Sequence, residues 1–125
     1  PDGDWLPRDP VGAAHVQRWM SIAAGELRYG PALARAIKLL DLPLDPEPPQ
    51  ALAKKLFGVM DAHLADHSFL AADRATLADI ALYSYTAHAP EGDVSLDSYP
   101  AIRAWLARVE ALPGFVPMSR IGKAD

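Results

Sequence analysis

An all-α domain is what this sequence predicts, and three observations carry the prediction. Alanine occurs 23 times and leucine 16 times, against 13 valine, isoleucine and threonine residues together. Alanine and leucine lose little side-chain freedom in a helix, whereas β-branched residues favour strands. The 12 prolines leave long proline-free windows at 11–30, 32–42, 50–89 and 101–112, and within them apolar residues recur at three- and four-residue steps, the period of one helix face. A length of 125 residues is that of a single domain with a core of its own.

The first helix is expected from about Val11 to Tyr29, with Val16, Trp19, Met20, Ala23 and Leu27 on one face. Gly30-Pro31 then bends the chain, because proline donates no amide hydrogen and its ring collides with the preceding turn. Leu33, Ile37 and Leu40 carry a shorter helix to about Asp41. Residues 41–49 form a proline-rich connector, and Pro48 or Pro49 suits the first turn of a third helix. That helix turns Leu52, Leu56, Val59, Met60 and Leu64 inward.

After a break between Asp66 and Ala75 comes a segment, 76–86, that is apolar or small almost all round. Such a helix is expected to be buried on every side. It opens as a capping box, in which Thr76 accepts from the amide of Asp79 and the Asp79 carboxylate reaches back to the amide of Thr76. Asp replaces the usual Glu or Gln. Losing such a cap costs roughly 1–2 kcal/mol. The last helix runs from about Tyr99 to Leu112, turns Ile102, Trp105, Leu106, Val109 and Leu112 inward, and stops at Pro113-Gly114.

Composition removes several function classes. With no cysteine there is no disulfide, thiolate zinc site or cysteine nucleophile. A net charge of −4 offers no electrostatic footprint for nucleic acid or an anionic membrane. No apolar run approaches the roughly 20 residues of a bilayer span, and no signal pattern opens the chain. A soluble, cytoplasmic protein is expected. Glycine-rich phosphate loops, His-Glu-x-x-His and Gly-x-Ser-x-Gly are absent. His63 and His67 have a ligand-like i,i+4 spacing but no third ligand, so they read as a solvent-facing pair and no metal is expected. Asp79 reads as a cap rather than a catalytic acid. Tyr83 and Tyr85 lie on opposite sides of their helix, so at least one belongs to the core. Arg28, beside Tyr29 at a helix end, reads either as a partner of the helix dipole or as a functional cation.

The segment Phe69-Leu-Ala-Ala-Asp-Arg-Ala-Thr-Leu-Ala-Asp-Ile-Ala-Leu-Tyr83 resembles the hallmark of the C-terminal domain of cytosolic glutathione transferases, a Phe-Leu pair followed by a Ser/Thr-x-x-Asp capping box on the central buried helix. The run from Leu96 through Tyr99, Trp105 and Pro113 to Phe115 resembles the family's penultimate helix and its exit, and Trp5-Leu-Pro-Arg-Asp-Pro10 resembles the linker into the domain. The likeness covers essentially the whole chain and is closest to bacterial members. Ala72 and Ala75 depart from the family's usual Gly and frequent Pro, which leaves the capping pair untouched.

The resemblance implies a five-to-six-helix bundle over 11–125, preceded by an interdomain linker remnant at 1–10. It further implies a thioredoxin-like domain before Pro1 that supplies the sulfur-activating residue, so this chain reads as an excised or truncated C-terminal domain with no catalytic residue and no activity alone. Aligned on Trp19 and Leu27, Arg28, Tyr29, His88 and Met20 fall at hydrophobic-pocket positions. Ser21 and Glu26 fall where the family reaches glutathione across a homodimer. Joined to its N-terminal domain, such a chain would conjugate glutathione, a co-substrate rather than a cofactor, to small hydrophobic electrophiles. A non-catalytic interaction module of the same fold is the alternative.

Overall fold

Asp9 starts the first helix. Its carboxylate accepts the Gly12 amide at 2.7 Å, and Pro10 takes the first helical position, where a missing amide hydrogen costs nothing. The computed structural model describes residues 5–121; residues 1–4 of the expected linker and 122–125 of the expected helical domain lie outside them. Helix α1 spans Pro10–Ile22, and Gly30-Pro31 does not interrupt the helical winding as the sequence suggested. A π-helical segment, Ala23–Ala32, continues α1 directly into α2, Leu33–Leu39.

The reason is local. In α winding the Pro31 ring would press on the carbonyl of Leu27. The wider π turn opens that space, and the Leu33 amide reaches back five residues to the Arg28 carbonyl. Gly30 is set by packing instead of turning, since a Cβ there would lie 3.0 Å from the Ala53 backbone nitrogen. Gly30 thus marks a close approach of the π segment to α3.

The chain continues through α3 (Glu47–Asp66), α4 (Leu77–Ala87), a 3₁₀ turn (Ala89–Gly92) and α5 (Pro100–Glu110). All described elements are helical. Because α1, the π segment and α2 form one rod, there are four rods and a 3₁₀ turn among the described residues, fewer than the five to six helices expected.

Trp19 and Leu27 of the first rod, Phe57, Met60 and Leu64 of α3, Leu82 of α4 and Trp105 of α5 meet in one core. Two inward faces differ from expectation. On α3 the buried stripe is Ala53, Leu56, Phe57, Met60 and Leu64, leaving Val59 54% exposed. The close approach of Gly30 turns Ala53 toward the first rod and fixes that phase. Helix α4 is not buried all round, because the first rod and α5 cover only part of it; Leu77 (41%), Ile80 (46%) and Tyr85 (41%) remain open.

The bundle converges on Asp79, which has no exposure to solvent. Its Oδ1 accepts the Leu70 amide at 2.9 Å and the Trp105 indole N–H at 2.8 Å. Its Oδ2 accepts the Thr76 amide at 2.9 Å and, at 3.4 Å, the Thr76 hydroxyl. The capping box is closed in both directions, with the Thr76 hydroxyl also accepting the Ala78 amide at 3.3 Å. The first amide of α4, from Leu77, is taken by the Trp5 carbonyl at 2.9 Å. Beside this turn, His63 is half-buried rather than solvent-facing. Its Nε2–H donates to the Leu70 carbonyl at 2.7 Å, its ring packs 5.2 Å from Trp19, and His67 stacks on it at 4.1 Å.

Three outcomes follow from this packing. Asp79→Ala leaves the Leu70 and Thr76 amides and the Trp105 indole without an acceptor in a dry site, so it should cost about 3–5 kcal/mol rather than an ordinary cap's roughly 1–2. Urea unfolding measures it, and a loss within the ordinary range would mean that water replaces the carboxylate. Gly92→Ala should destabilise by about 2 kcal/mol or more, because the new Cβ would lie 2.6 Å from the Arg35 backbone nitrogen; a thermal melt reports it.

The third concerns pH. Burial, reinforced by the neighbouring His67, Arg18 and His15, holds His63 below its usual 6.5 despite its bond to Leu70. The unfolded chain therefore takes up the proton first as pH falls through that value, and folding stability drops on acidification. His63→Gln should make the fall between about pH 7.5 and pH 5.5 shallower, as read from urea midpoints.

Candidate functional site

Two surface hollows among the described residues bring aromatic side chains together; a third, about 480 Å³ and lined by Pro90, Asp93, Ser95, Leu96 and Asp97, holds none. The first, about 260 Å³, lies between α4, the end of α5, residues 112–116 and Trp5. Tyr83 is its titratable group. Burial, and then the adjacent Glu110, push the phenol far above its usual 10, and its hydroxyl already donates to Glu110 Oε1 at 2.7 Å. That hollow offers apolar surface and a committed phenol.

The second is an open groove of about 400 Å³, lined by Arg28, Tyr29, Ala32, Leu33, Arg35, Ala36 and Tyr85. The π segment supplies Arg28, Tyr29 and Ala32, α2 supplies Leu33, Arg35 and Ala36, and the open face of α4 supplies Tyr85. A rod that runs on through Pro31 is what places the first six on one continuous surface. The Arg28 guanidinium carbon lies 5.4 Å from the centre of the Tyr29 ring, a cation–π distance.

The two arginines differ in charge balance. Arg35 Nε donates to Glu91 Oε2 at 2.6 Å, and the His88 Nδ1–H donates to Glu91 Oε1 at 3.0 Å. Burial alone would raise the Glu91 carboxyl, but the hydrogen bonds and charges of Arg35 and His88 outweigh it and hold it below its usual 4.5. Glu91 is thus ionised at neutral pH and neutralises Arg35. Arg28 meets no carboxylate among the described residues.

The 3₁₀ turn that carries Glu91 is clamped to α2 and α3. Lys38 Nζ reaches Asp93 Oδ1 at 2.5 Å, Gln50 donates to the Gly92 carbonyl at 3.1 Å, and Gly92 lies against the Ala34–Arg35 backbone with no room for a side chain.

Of the residues singled out in the sequence, the groove unites Arg28 and Tyr29. His88 does not line it. It ends α4, is 4% exposed and stands behind the groove, because its bond to Glu91 draws the ring inward. Met20 is half-buried higher on the first rod and also lines no part of the groove. Ser21 is exposed and its hydroxyl donates to the Gln17 carbonyl at 3.0 Å, while Glu26 is exposed in the first turn of the π segment. Thr76 and Asp79 lie in the buried cap.

Sequence reasoning missed Arg35 and Tyr85 as groove residues. Arg35 follows Arg28 by seven positions, two helical turns, a signal that the assumed bend at Pro31 concealed. Tyr85 is the outward member of the tyrosine pair.

The groove has shape, aromatic surface and positive charge, and its lining residues include no carboxylate, imidazole or thiol. No group of three or more metal-ligating side chains occurs among the described residues, and none of their helices is long and apolar enough to cross a membrane.

The family model described as the glutathione S-transferase C-terminal domain matches residues 48–113. No curated protein sequence matches the chain. Among solved structures, a glutathione S-transferase from Xanthobacter autotrophicus Py2 is 31% identical with a TM-score of 0.87, over 93% of this chain and 60% of that one. One from Pseudomonas fluorescens Pf-5 is 33% identical with a TM-score of 0.85, over 93% and 61%. A possible glutathione S-transferase from Rhodopseudomonas palustris is 30% identical with a TM-score of 0.84, over 99% and 59%. The chain thus spans about 60% of the length of these relatives. The family match covers more than half of the sequence and the fold agrees over nearly all of it, so the chain belongs to the glutathione S-transferase C-terminal domain family.

Proposed function

We propose that this domain is the substrate-side half of a cytoplasmic, homodimeric glutathione transferase that joins glutathione thiolate to small hydrophobic electrophiles. The groove of Arg28, Tyr29 and Tyr85 carries the reading. It is open, aromatic and free of acidic lining, which suits a small apolar molecule fixed by one polar group. Transferase chemistry needs a thiol made nucleophilic by a lowered pKa, and nothing in this groove can do that. The sulfur-activating group belongs to a thioredoxin-like domain, and this domain holds the electrophile that the thiolate attacks. Ser21 and Glu26, exposed on the same rod, are proposed to face glutathione held by a second subunit. His88 acts through Glu91 by holding Arg35 in place.

The test is turnover of glutathione with 1-chloro-2,4-dinitrobenzene. The 125-residue chain alone should be inactive, and the same chain joined to a thioredoxin-like transferase domain should be active. In the joined protein Tyr29→Ala should raise the KM for the halide roughly threefold to tenfold, with the KM for glutathione unchanged. Activity of the isolated chain would overturn the division of labour. A folded but inactive two-domain protein would favour the interaction-module reading.

A further inference from the structure

We propose that the groove selects electrophiles that carry a carboxylate, or an equivalent single negative charge, on a flat aromatic body. The proposal rests on the reading of the groove as the electrophile site and names its substrate class.

Charge balance is the first argument. Of the two cations on the groove, Arg35 is neutralised by Glu91 at 2.6 Å, while Arg28 meets no carboxylate among the described residues and none of the lining side chains is acidic. The surface therefore keeps one uncompensated positive charge. An exposed guanidinium presents its N–H groups in a planar fork that suits a carboxylate.

Shape is the second argument. The Arg28 guanidinium lies 5.4 Å from the Tyr29 ring centre, so the charge is held beside an aromatic face. Tyr85 supplies a second exposed ring, and Ala32 and Ala36 keep the floor shallow. A flat ring can lie over the alanines while its acid group meets Arg28. Glutathione brings carboxylates but no flat apolar body, and a neutral arene brings the body without the charge. Only the combination uses the whole groove.

The probes are 2-naphthoate, its neutral amide 2-naphthamide, and glutathione, titrated separately into the chain by protein NMR at low and at physiological salt. The naphthoate should shift resonances of the groove and bind roughly threefold to tenfold tighter than the amide, with the difference shrinking as salt is added. Arg28→Gln, at an exposed position, should equalise the two without moving the melting temperature.

Equal binding of naphthoate and amide in the groove would overturn the anion selectivity and leave the electrophile-site reading standing. A naphthoate preference that persists in Arg28→Gln would overturn the role of Arg28. Glutathione shifting the same resonances as tightly as naphthoate would assign the charge to the peptide and sink the proposal. Binding of none of the three in the groove would overturn the electrophile-site reading, and the proposal with it.

Discussion

The Asp79 carboxylate, fully buried, is the constraint on which the rest of this fold depends. A buried charge is expensive unless donors surround it, and three separate parts of the chain supply them. The Leu70 amide comes from the turn after α3, Thr76 from the start of α4 and the Trp105 indole from the middle of α5. Each donor that moves away takes a partner from the buried carboxylate, so the turn, the helix start and the α5 register are set together. Trp105 is buried by the same arrangement, which couples the polar cluster to the apolar core. An apolar residue in place of Asp79 could pack, but it could not specify which indole and which turn meet there.

The local half of this cluster was legible in the sequence. Thr76 and Asp79 are three residues apart and report only on each other, so a capping box can be read from spacing. The non-local half was not. Trp105 stands 26 residues further on, and no helical period says which buried carboxylate an inward indole will meet. The same limit explains the two misread faces. Val59 fits an apolar stripe on α3 as well as Phe57 does, and only the approach of Gly30 to Ala53 decides between them. The apolar girth of α4 signals surface to be covered, and in the described residues part of that surface is still open at Leu77 and Ile80.

Pro31 shows a different failure. The rule that proline ends a helix rests on a clash and a missing donor in α winding. Both are relieved when the winding widens for a few residues, which a list of proline positions does not reveal. The consequence reaches the candidate site. With a bend at 30–31, Arg28 and Tyr29 would end one helix and Arg35 would belong to another; with a continuous rod they share a surface. Arg28 and Tyr29 were legible through family resemblance, whereas Arg35 needed the helix to run on through Pro31 and Tyr85 needed the packing of α4 against it.

His88 helps the groove hold its shape. The family resemblance implied a lining residue, yet its ring is turned toward Glu91 and its exposure is small. What it contributes is order. Glu91 lies on the 3₁₀ turn, and that turn is held to α2 by Lys38–Asp93 and by the absence of a side chain at Gly92, and to α3 by Gln50 on the Gly92 carbonyl. One carboxylate thus joins a buried imidazole on α4 to a cation on α2, and α4 and α2 are the two sides of the groove. Removing the charge of Glu91 would free Arg35 and loosen one side relative to the other. The groove's electrostatics and its geometry therefore have a common origin: the contact that cancels one positive charge also fixes the distance across which the other, on Arg28, is presented.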